Sequence, residues 1–400
     1  MLPSVYIAFF LWLTNSYAVY TWVQATFFLW SILEILWKIY RGKVAAVALT
    51  FLAFSPLWVG YAVYWETGVL TAVLLVWLLY IDKKLEGRSS VANTLLLLFG
   101  YAFICFTVTG YRVNAATAIV GILIWSGIAA IYKRQEIRKT SLKVAVAVLG
   151  IILALQVPSF LGLPNRNNAM TGVLWETCSI VNRIGKGNGY DQYMDDLIGQ
   201  GNTERLFDVE DPESSMYNFS DIFDYWILTM NHSDEIAEKY LQIAFENPKE
   251  FIEVKARMIW KTLTQSNFAY LANQGGRMDE FGVLDTVRRD RAIETVNQYM
   301  ELIAVLRIPL VMFALALLVS LVCLLLHLPT KHLFQMIFVA FCYEGGYFIT
   351  TQDYIFRYFF PAWLLLLLTI LWAAREIWAA KVSKQYPVLE YGICKKGNIA

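Results

Sequence analysis

The segment from Thr351 to Pro361 places an acid and a base four residues apart, at the start of an apolar run that ends at Trp372. If this segment is helical, Asp353 and Arg357 lie on the same face of the helix. A charged side chain near the end of a membrane helix is costly unless it is paired, faces water or contacts a polar ligand. Asp353 and Arg357 can therefore pair with each other. Alternatively, Arg357 holds a phosphate or diphosphate leaving group, and Asp353 binds a metal ion or a sugar hydroxyl.

Polar residues in three other apolar surroundings are also candidates for chemistry. Arg112 and Asn114 stand in a short turn after an apolar run. The guanidinium offers a fixed fork of donors that suits phosphate oxygens, although an arginine there can also extend to the lipid headgroups. Glu344 lies inside an apolar segment, where a carboxylate is a functional candidate by default but can also hydrogen-bond within a helix bundle. Glu66 follows Trp65 at a loop tip, where a solvated acid is equally ordinary.

The elements that must position these residues are apolar runs of membrane-spanning length. The chain has 400 residues, of which 58% are hydrophobic and 16% are charged. This composition predicts an all-α polytopic membrane protein, since a span needs about 20 mainly apolar residues. Residues 4–13 form a shorter run that predicts an interfacial or re-entrant segment. About nine transmembrane helices are predicted, at residues 18–37, 44–64, 68–81, 91–109, 116–132, 143–158, 307–326, 333–350 and 355–374.

Charge divides the chain into membrane and polar regions. Residues 159–306 carry 23 acidic and 13 basic residues, whereas the rest carries 9 acidic and 20 basic residues. The prediction is an N-terminal membrane region (1–158) with six spans, then a large, mainly helical extracytoplasmic domain (159–306), a C-terminal membrane region (307–374) with three spans and a cytoplasmic tail (375–400). Helices are expected in the acidic domain at 234–246, 249–265 and 286–306.

Lysine and arginine residues predict the orientation of the spans. With nine spans, seventeen Lys and Arg residues in short loops and in the tail fall on one face, which is the cytoplasmic face by the positive-inside rule. The opposite face then receives the acidic domain and all the candidate residues. The five cysteines and three histidines show no disulfide framework and no metal-ligand spacing.

Four short motifs resemble those of bacterial multi-spanning glycosyltransferases of the C-type fold, which use polyprenyl-phosphate-linked sugars at the outer face of the plasma membrane. The motifs are the Trp65-Glu66 turn after a span that contains proline, Arg112-Val113-Asn114, the Pro-led helix from Asn247 to Lys255, and Asp353 with Arg357-Tyr358-Phe359-Phe360-Pro361. This family usually carries its catalytic acid in the first outer loop, but residues 1–17 contain no acid. Three explanations fit this departure: the chain starts late relative to the family, another acid acts as the base, or the protein is not an active transferase.

The resemblance implies a hexosyltransferase that moves a sugar from a polyprenyl-phosphate donor to an envelope glycan or lipid acceptor. It implies a multi-pass protein of the bacterial inner membrane with membrane lipids, and no nucleic acid, as its partners. The candidate cofactor is a divalent metal ion. The candidate catalytic acids are Glu66, Glu344 and Asp353, and the candidate donor-binding residues are Arg112, Asn114, Arg357 and Tyr358.

Two other functions are compatible with these residues. A polymerase or ligase that acts on lipid-linked oligosaccharides also needs outer arginines to hold a diphosphate. A non-enzymatic transporter or flippase of envelope lipids is the second alternative. The charged candidates lie on one face rather than along a path through the bundle, and no pair of broken half-helices is evident, so the sequence favours a transferase over a transporter.

Overall fold

In a computed structural model, the chain is described at residues 2–39, 68–87, 90–133, 137–162, 169–185, 187–200, 228–229, 231–265, 286–349 and 356–385. These residues form fifteen helices and no strand. The helices are α1 (Leu2–Thr14), α2 (Tyr17–Ile39), α3 (Gly68–Leu85), α4 (Val91–Tyr111), α5 (Ala115–Lys133), α6 (Ile137–Phe160), α7 (Ala169–Ile184), α8 (Asp191–Ile198), α9 (Ser233–Glu246), α10 (Pro248–Thr264), α11 (Thr286–Leu302), α12 (Ala304–Arg307), α13 (Pro309–Leu325), α14 (Lys331–Ile349) and α15 (Phe356–Gln385).

Four of the described helices, α2, α4, α6 and α15, are long and apolar enough to cross a membrane. Shorter apolar segments lie in α1, α5 and α13. The prediction of an all-α membrane protein is therefore confirmed at this level. Helices occupy every predicted span except 44–64, which lies outside the described residues. The count of nine spans and their orientation stay predictions.

The apolar helices pack into one bundle, in which two helix pairs approach closely at glycines. Helix α4 packs along α6, α5 packs along α14, and α15 lies against α3, α13 and α14. A Cβ atom at Gly150 of α6 would stand 2.7 Å from the carbonyl oxygen of Ala102, and one at Gly121 of α5 would stand 2.8 Å from Cys342 Sγ. Glycine therefore lets these helix pairs come together more closely than any other residue would.

Polar contacts bring together the helix ends that carry several of the basic residues. The Lys143 ammonium lies 2.7 Å from Asp82 Oδ1, and Ser126 donates to the same carboxylate. Lys331 lies 3.2 Å from Glu86 Oε2. We call this the basic end of the bundle. The charge pattern predicts that Lys143 belongs to a loop cluster, but this residue is only 4% exposed, because α6 begins six residues before it and carries it into the bundle.

At the opposite end, which we call the site end, hydroxyl, indole and backbone groups also form contacts between helices. The hydroxyl groups of Tyr20 and Tyr111 lie 3.4 Å apart. The Trp363 indole donates to the carbonyl oxygen of Leu306 at 2.9 Å. These contacts join α2 to α4 and α15 to the short helix α12.

Helices α7 to α10 form a second hydrophobic core of their own. Buried side chains from all four helices meet there, among them Leu174, Met194, Ile243 and Met258. The helices predicted at 234–246 and 249–265 are confirmed as α9 and α10, and Pro248 takes the first turn of α10, where its missing N–H costs nothing. The predicted segment 286–306 forms α11 and α12.

Replacing Lys143 with methionine is expected to destabilise the bundle by about 3–5 kcal/mol, because it leaves the Asp82 carboxylate buried without its charged partner. The double change Asp82→Asn with Lys143→Met should recover most of that loss. Thermal unfolding of the purified protein in detergent measures both. Lys381→Met, at an exposed position of α15, is the control. Equal midpoints for Lys143→Met and the control would contradict the prediction.

Candidate functional site

The turn between α4 and α5 positions Arg112 at the site end. Arg112 follows the last residue of α4 in an extended conformation, and its N–H still donates to Val108 at 2.9 Å. The turn closes when the amide of Ala115 donates to the carbonyl oxygen of Arg112 at 2.9 Å. The Thr117 hydroxyl donates to the carbonyl oxygen of Asn114 at 2.6 Å. These local bonds satisfy backbone groups that the two helix ends would otherwise leave unpaired.

The Arg112 side chain contacts two tyrosines from different helices. Its Nη1 atom donates to the hydroxyl of Tyr347 on α14 at 2.5 Å. Its guanidinium carbon lies 5.1 Å from the ring centre of Tyr358 on α15, within the range of a cation–π interaction. The rings of Tyr347 and Tyr358 are 5.3 Å apart. A partly exposed guanidinium, held by the ring of one tyrosine and the hydroxyl of another, is a suitable receptor for a phosphate group.

A glycine brings α14 against this turn. A Cβ atom at Gly346 would lie 2.8 Å from Thr117 Oγ1 and 3.1 Å from the carbonyl oxygen of Asn114. At Gly345, one residue earlier, a Cβ atom would meet nothing within 4 Å. Of these two glycines, only Gly346 is therefore needed to let Tyr347 approach Arg112.

Glu344 lies one turn before Tyr347 on α14. The residue is 2% exposed, and its Oε2 atom has no hydrogen-bond partner in the part of the chain that the structure describes. Residues three apart on a helix are neighbours on its surface. A buried carboxylate is costly when ionised if one of its oxygens accepts no hydrogen bond, so this position requires an explanation beyond packing.

The structure thus brings together Arg112, Tyr358 and the backbone of Asn114, with Glu344 one turn from the contact. Glu66 and Asp353 lie outside the described residues, as does the side chain of Arg357, although its backbone is in the first turn of α15. The predicted pairing of Asp353 with Arg357 and the roles of the three candidate acids therefore stay predictions.

A second contact network, which the sequence did not predict, surrounds Lys255 of α10. The ammonium of Lys255 lies 2.6 Å from Oε1 of Glu176 on α7 and donates to the carbonyl oxygens of Phe348 at 3.2 Å and Ile349 at 2.7 Å. The hydroxyl of Tyr240 on α9 donates to the second oxygen of Glu176 at 2.7 Å. We call these five residues the Lys255 network.

Burial dominates the electrostatics of this network. Glu176 is 1% exposed. Burial raises the pKa of its carboxyl above the usual value of 4.5, while Lys255 and the hydrogen bond from Tyr240 oppose the shift. One sequence signal could have identified Glu176, since it is the one charged residue in the otherwise uncharged run 169–182. Nothing local distinguishes Tyr347 from the other tyrosines among the 23 in the chain.

The candidate divalent metal ion finds no ligand set in the described part of the chain. Among those residues, no cluster of three His, Cys, Asp or Glu side chains is arranged to hold a metal ion.

Comparisons of the chain with protein-family models, with curated proteins and with solved structures find no match. The proposed function therefore rests on the residues of this chain alone.

Gly346→Ala is expected to force α14 away from the α4–α5 turn and to cost about 1–3 kcal/mol, the usual range for an overpacked core. Gly345→Ala should be neutral or slightly stabilising, because alanine favours a helix and the added methyl group meets open space. Thermal midpoints of the two variants in detergent provide the test. A Gly345→Ala variant as unstable as Gly346→Ala would refute the predicted close approach.

Glu176 predicts a pH dependence of stability. Its folded-state pKa lies above 4.5, so its contribution is fully present below that pH and declines as the pH rises through the raised pKa. The thermal midpoint of the native protein should therefore fall relative to that of Glu176→Gln as the pH rises above 4.5. A constant or rising difference would show that pairing with Lys255 outweighs burial.

Proposed function

We propose that this protein is a membrane glycosyltransferase that moves a sugar from a polyprenyl-phosphate-linked donor to an envelope glycan or lipid acceptor. The observation that carries the proposal is the convergence of Arg112, Tyr347 and Tyr358 at the site end. Each residue comes from a different element: Arg112 from the C-terminal end of α4, Tyr347 from the last turns of α14 and Tyr358 from the first turn of α15. The guanidinium is therefore held in place before any ligand arrives.

Arg112 would contact the phosphate that leaves when the sugar is transferred. A positioned cation stabilises negative charge that develops in the transition state, and it acts more strongly in a site with little water. Tyr358 would keep the guanidinium plane oriented through its ring, and Tyr347 through its hydroxyl. Arg357 begins the same helix as Tyr358 and is proposed as the second cation for the phosphate.

The acceptor hydroxyl needs a general base within hydrogen-bond reach. The burial of Glu344 argues for a role inside the bundle rather than at the acceptor. The base is therefore assigned to Glu66 or Asp353. In the nine-span arrangement, Glu66 and Asp353 each lie in a short loop between two spans. Both loops are on the same face of the membrane as Arg112.

The nine spans, the extracytoplasmic position of residues 159–306 and the bacterial inner membrane form part of this proposal. The apolar helices support a multi-pass arrangement. The Asp82–Lys143 and Glu86–Lys331 contacts support it further, because they group basic helix ends opposite the site end.

A transporter of envelope lipids is the second candidate. Three buried ionisable residues inside the bundle favour a transporter, namely the paired Asp82 and Lys143 and, separately, Glu344. Ionisable groups buried in a membrane bundle often lie on the path of a proton or a substrate.

Mass spectrometry of envelope glycans and polyprenyl-linked lipids tests the proposal whichever sugar is transferred. A strain that carries Arg112→Ala should lose one sugar from its glycans and accumulate the donor lipid, because loss of one oxyanion-stabilising donor lowers turnover about 100-fold or more. Arg183→Ala, which removes an exposed arginine paired with Glu253, is the control and should leave the glycans as in the parent.

Unchanged glycans in the Arg112→Ala strain would overturn the role of Arg112. A shortened ladder of repeats, in place of one missing sugar, would indicate a polymerase. A lipid intermediate trapped on the inner leaflet, with no chemical step lost, would favour the transporter.

A further inference from the structure

Helix α10 contacts the bundle at α13 and at the last turn of α14, directly beside Tyr347. We propose that Lys255 is a positioning residue, which couples helices α7, α9 and α10 to the Arg112 site by holding that last turn in place. The structural part of this inference stands on the contacts alone. Its consequence for ligand binding rests on the proposed function.

The Lys255 ammonium has an acceptor for each of its protons. A lysine has three N–H donors, and three acceptors surround this one, namely Glu176 Oε1 at 2.6 Å, the Phe348 carbonyl at 3.2 Å and the Ile349 carbonyl at 2.7 Å. Its side chain is 16% exposed. This geometry differs from that of a solvated surface lysine, which keeps its ammonium in water.

The acceptors on α14 are groups that a helix leaves unsatisfied. The last four carbonyl groups of a helix have no partner inside it, and a cation near the helix C-terminus is favourable. Lys255 supplies donors to two of these carbonyls, at Phe348 and Ile349. Tyr347 is the residue immediately before them, and its hydroxyl accepts from Arg112. Loss of these donors would loosen the turn that places Tyr347.

The other side of the Lys255 network is anchored in three helices. Glu176 accepts from Lys255 with one oxygen and from Tyr240 with the other, so helices α7, α9 and α10 meet at a single carboxylate. The carboxylate is 1% exposed. A shift of these helices would therefore be transmitted to the α14 carbonyls through Lys255.

The chain offers a matched control on the same helix. Glu253 lies two residues before Lys255 and forms ion pairs with Arg183 of α7 and Arg257 of α10, both at 3.0 Å. Its side chain is 41% exposed. Exposed ion pairs contribute little to stability. Glu253→Gln therefore removes a contact between α7 and α10 without touching α14.

Hydrogen–deuterium exchange of the full chain in lipid nanodiscs is the primary test. In Lys255→Met, amides of residues 344–349 are expected to exchange about tenfold faster or more, the effect of losing hydrogen bonds to a charged group. Glu253→Gln should exchange like the native protein. Lys255→Arg, which keeps donors and charge, should restore much of the protection.

Binding of a polyprenyl phosphate to the same nanodiscs is the second readout. Lys255→Met should weaken binding by about tenfold through displacement of Tyr347 and Arg112, with Glu253→Gln again unchanged. If the native protein binds no polyprenyl phosphate, the proposed function fails, while the exchange data still decide the role of Lys255.

A second variant covers the case in which Lys255→Met does not fold, since that change leaves Glu176 without its charged partner. The double variant Glu176→Gln with Lys255→Met removes the unpaired charge but still lacks donors for the α14 carbonyls. It should show the same fast exchange at residues 344–349. Native protection of those amides in either folded variant would overturn the positioning role.

Discussion

A polar or charged group inside an apolar bundle is costly without a partner, and this cost shapes the described structure. Asp82 meets Lys143 at the basic end, and Arg112 meets Tyr347 and Tyr358 at the site end. Because each pairing joins different helices, the partners also fix how those helices align. Breaking such a contact is costly for a second reason, since the remaining group stays buried without compensation.

Close helix packing is what makes the site-end contacts possible. Gly346 lets α14 lie against the backbone of Asn114. Gly121 lets α5 approach Cys342, which is also on α14. Two glycine contacts therefore keep α5 and α14 together, one near each side of Glu344. The position of Tyr347 depends on this packing as much as on its hydrogen bond with Arg112.

The arrangement gives the two ends of the bundle different chemistry. The basic end holds matched charges, as in the Asp82–Lys143 pair. The site end holds a guanidinium on the ring of Tyr358 and the hydroxyl of Tyr347. It also holds the Glu344 carboxylate, whose Oε2 atom has no hydrogen-bond partner among the described residues. A guanidinium held in this way is suited to an anionic ligand. The Lys255 network adds a connection from this end to the core formed by α7 to α10.

Local sequence was sufficient to predict most of the helices and the segregation of charge. Apolar runs, the proline at position 248 and the asparagine before it are local signals, so most described helices lie close to the predicted segments. Helices α7 and α8 were not predicted, and α15 continues to Gln385, beyond the predicted end of its span at residue 374. The acidic segment and its 23 acids are equally plain. Such features depend on hydrophobicity and backbone preference, which each residue carries with it.

Which polar residues meet is a consequence of tertiary packing. Arg112 and Tyr347 are 235 residues apart in the chain, and Lys255 and Ile349 are 94 apart. Partners so far apart in the chain do not belong to one helix, so helical periodicity cannot predict that they meet. Arg112 donates to a tyrosine hydroxyl and Lys255 to a backbone carbonyl, and no sequence pattern distinguishes these acceptors from others of the same kind. Glu176 is the one charged residue of the run 169–182, but its contacts with Lys255 and Tyr240 depend on the same packing. These pairings depend on how complete helices pack, which is a property of the bundle and not of any one segment.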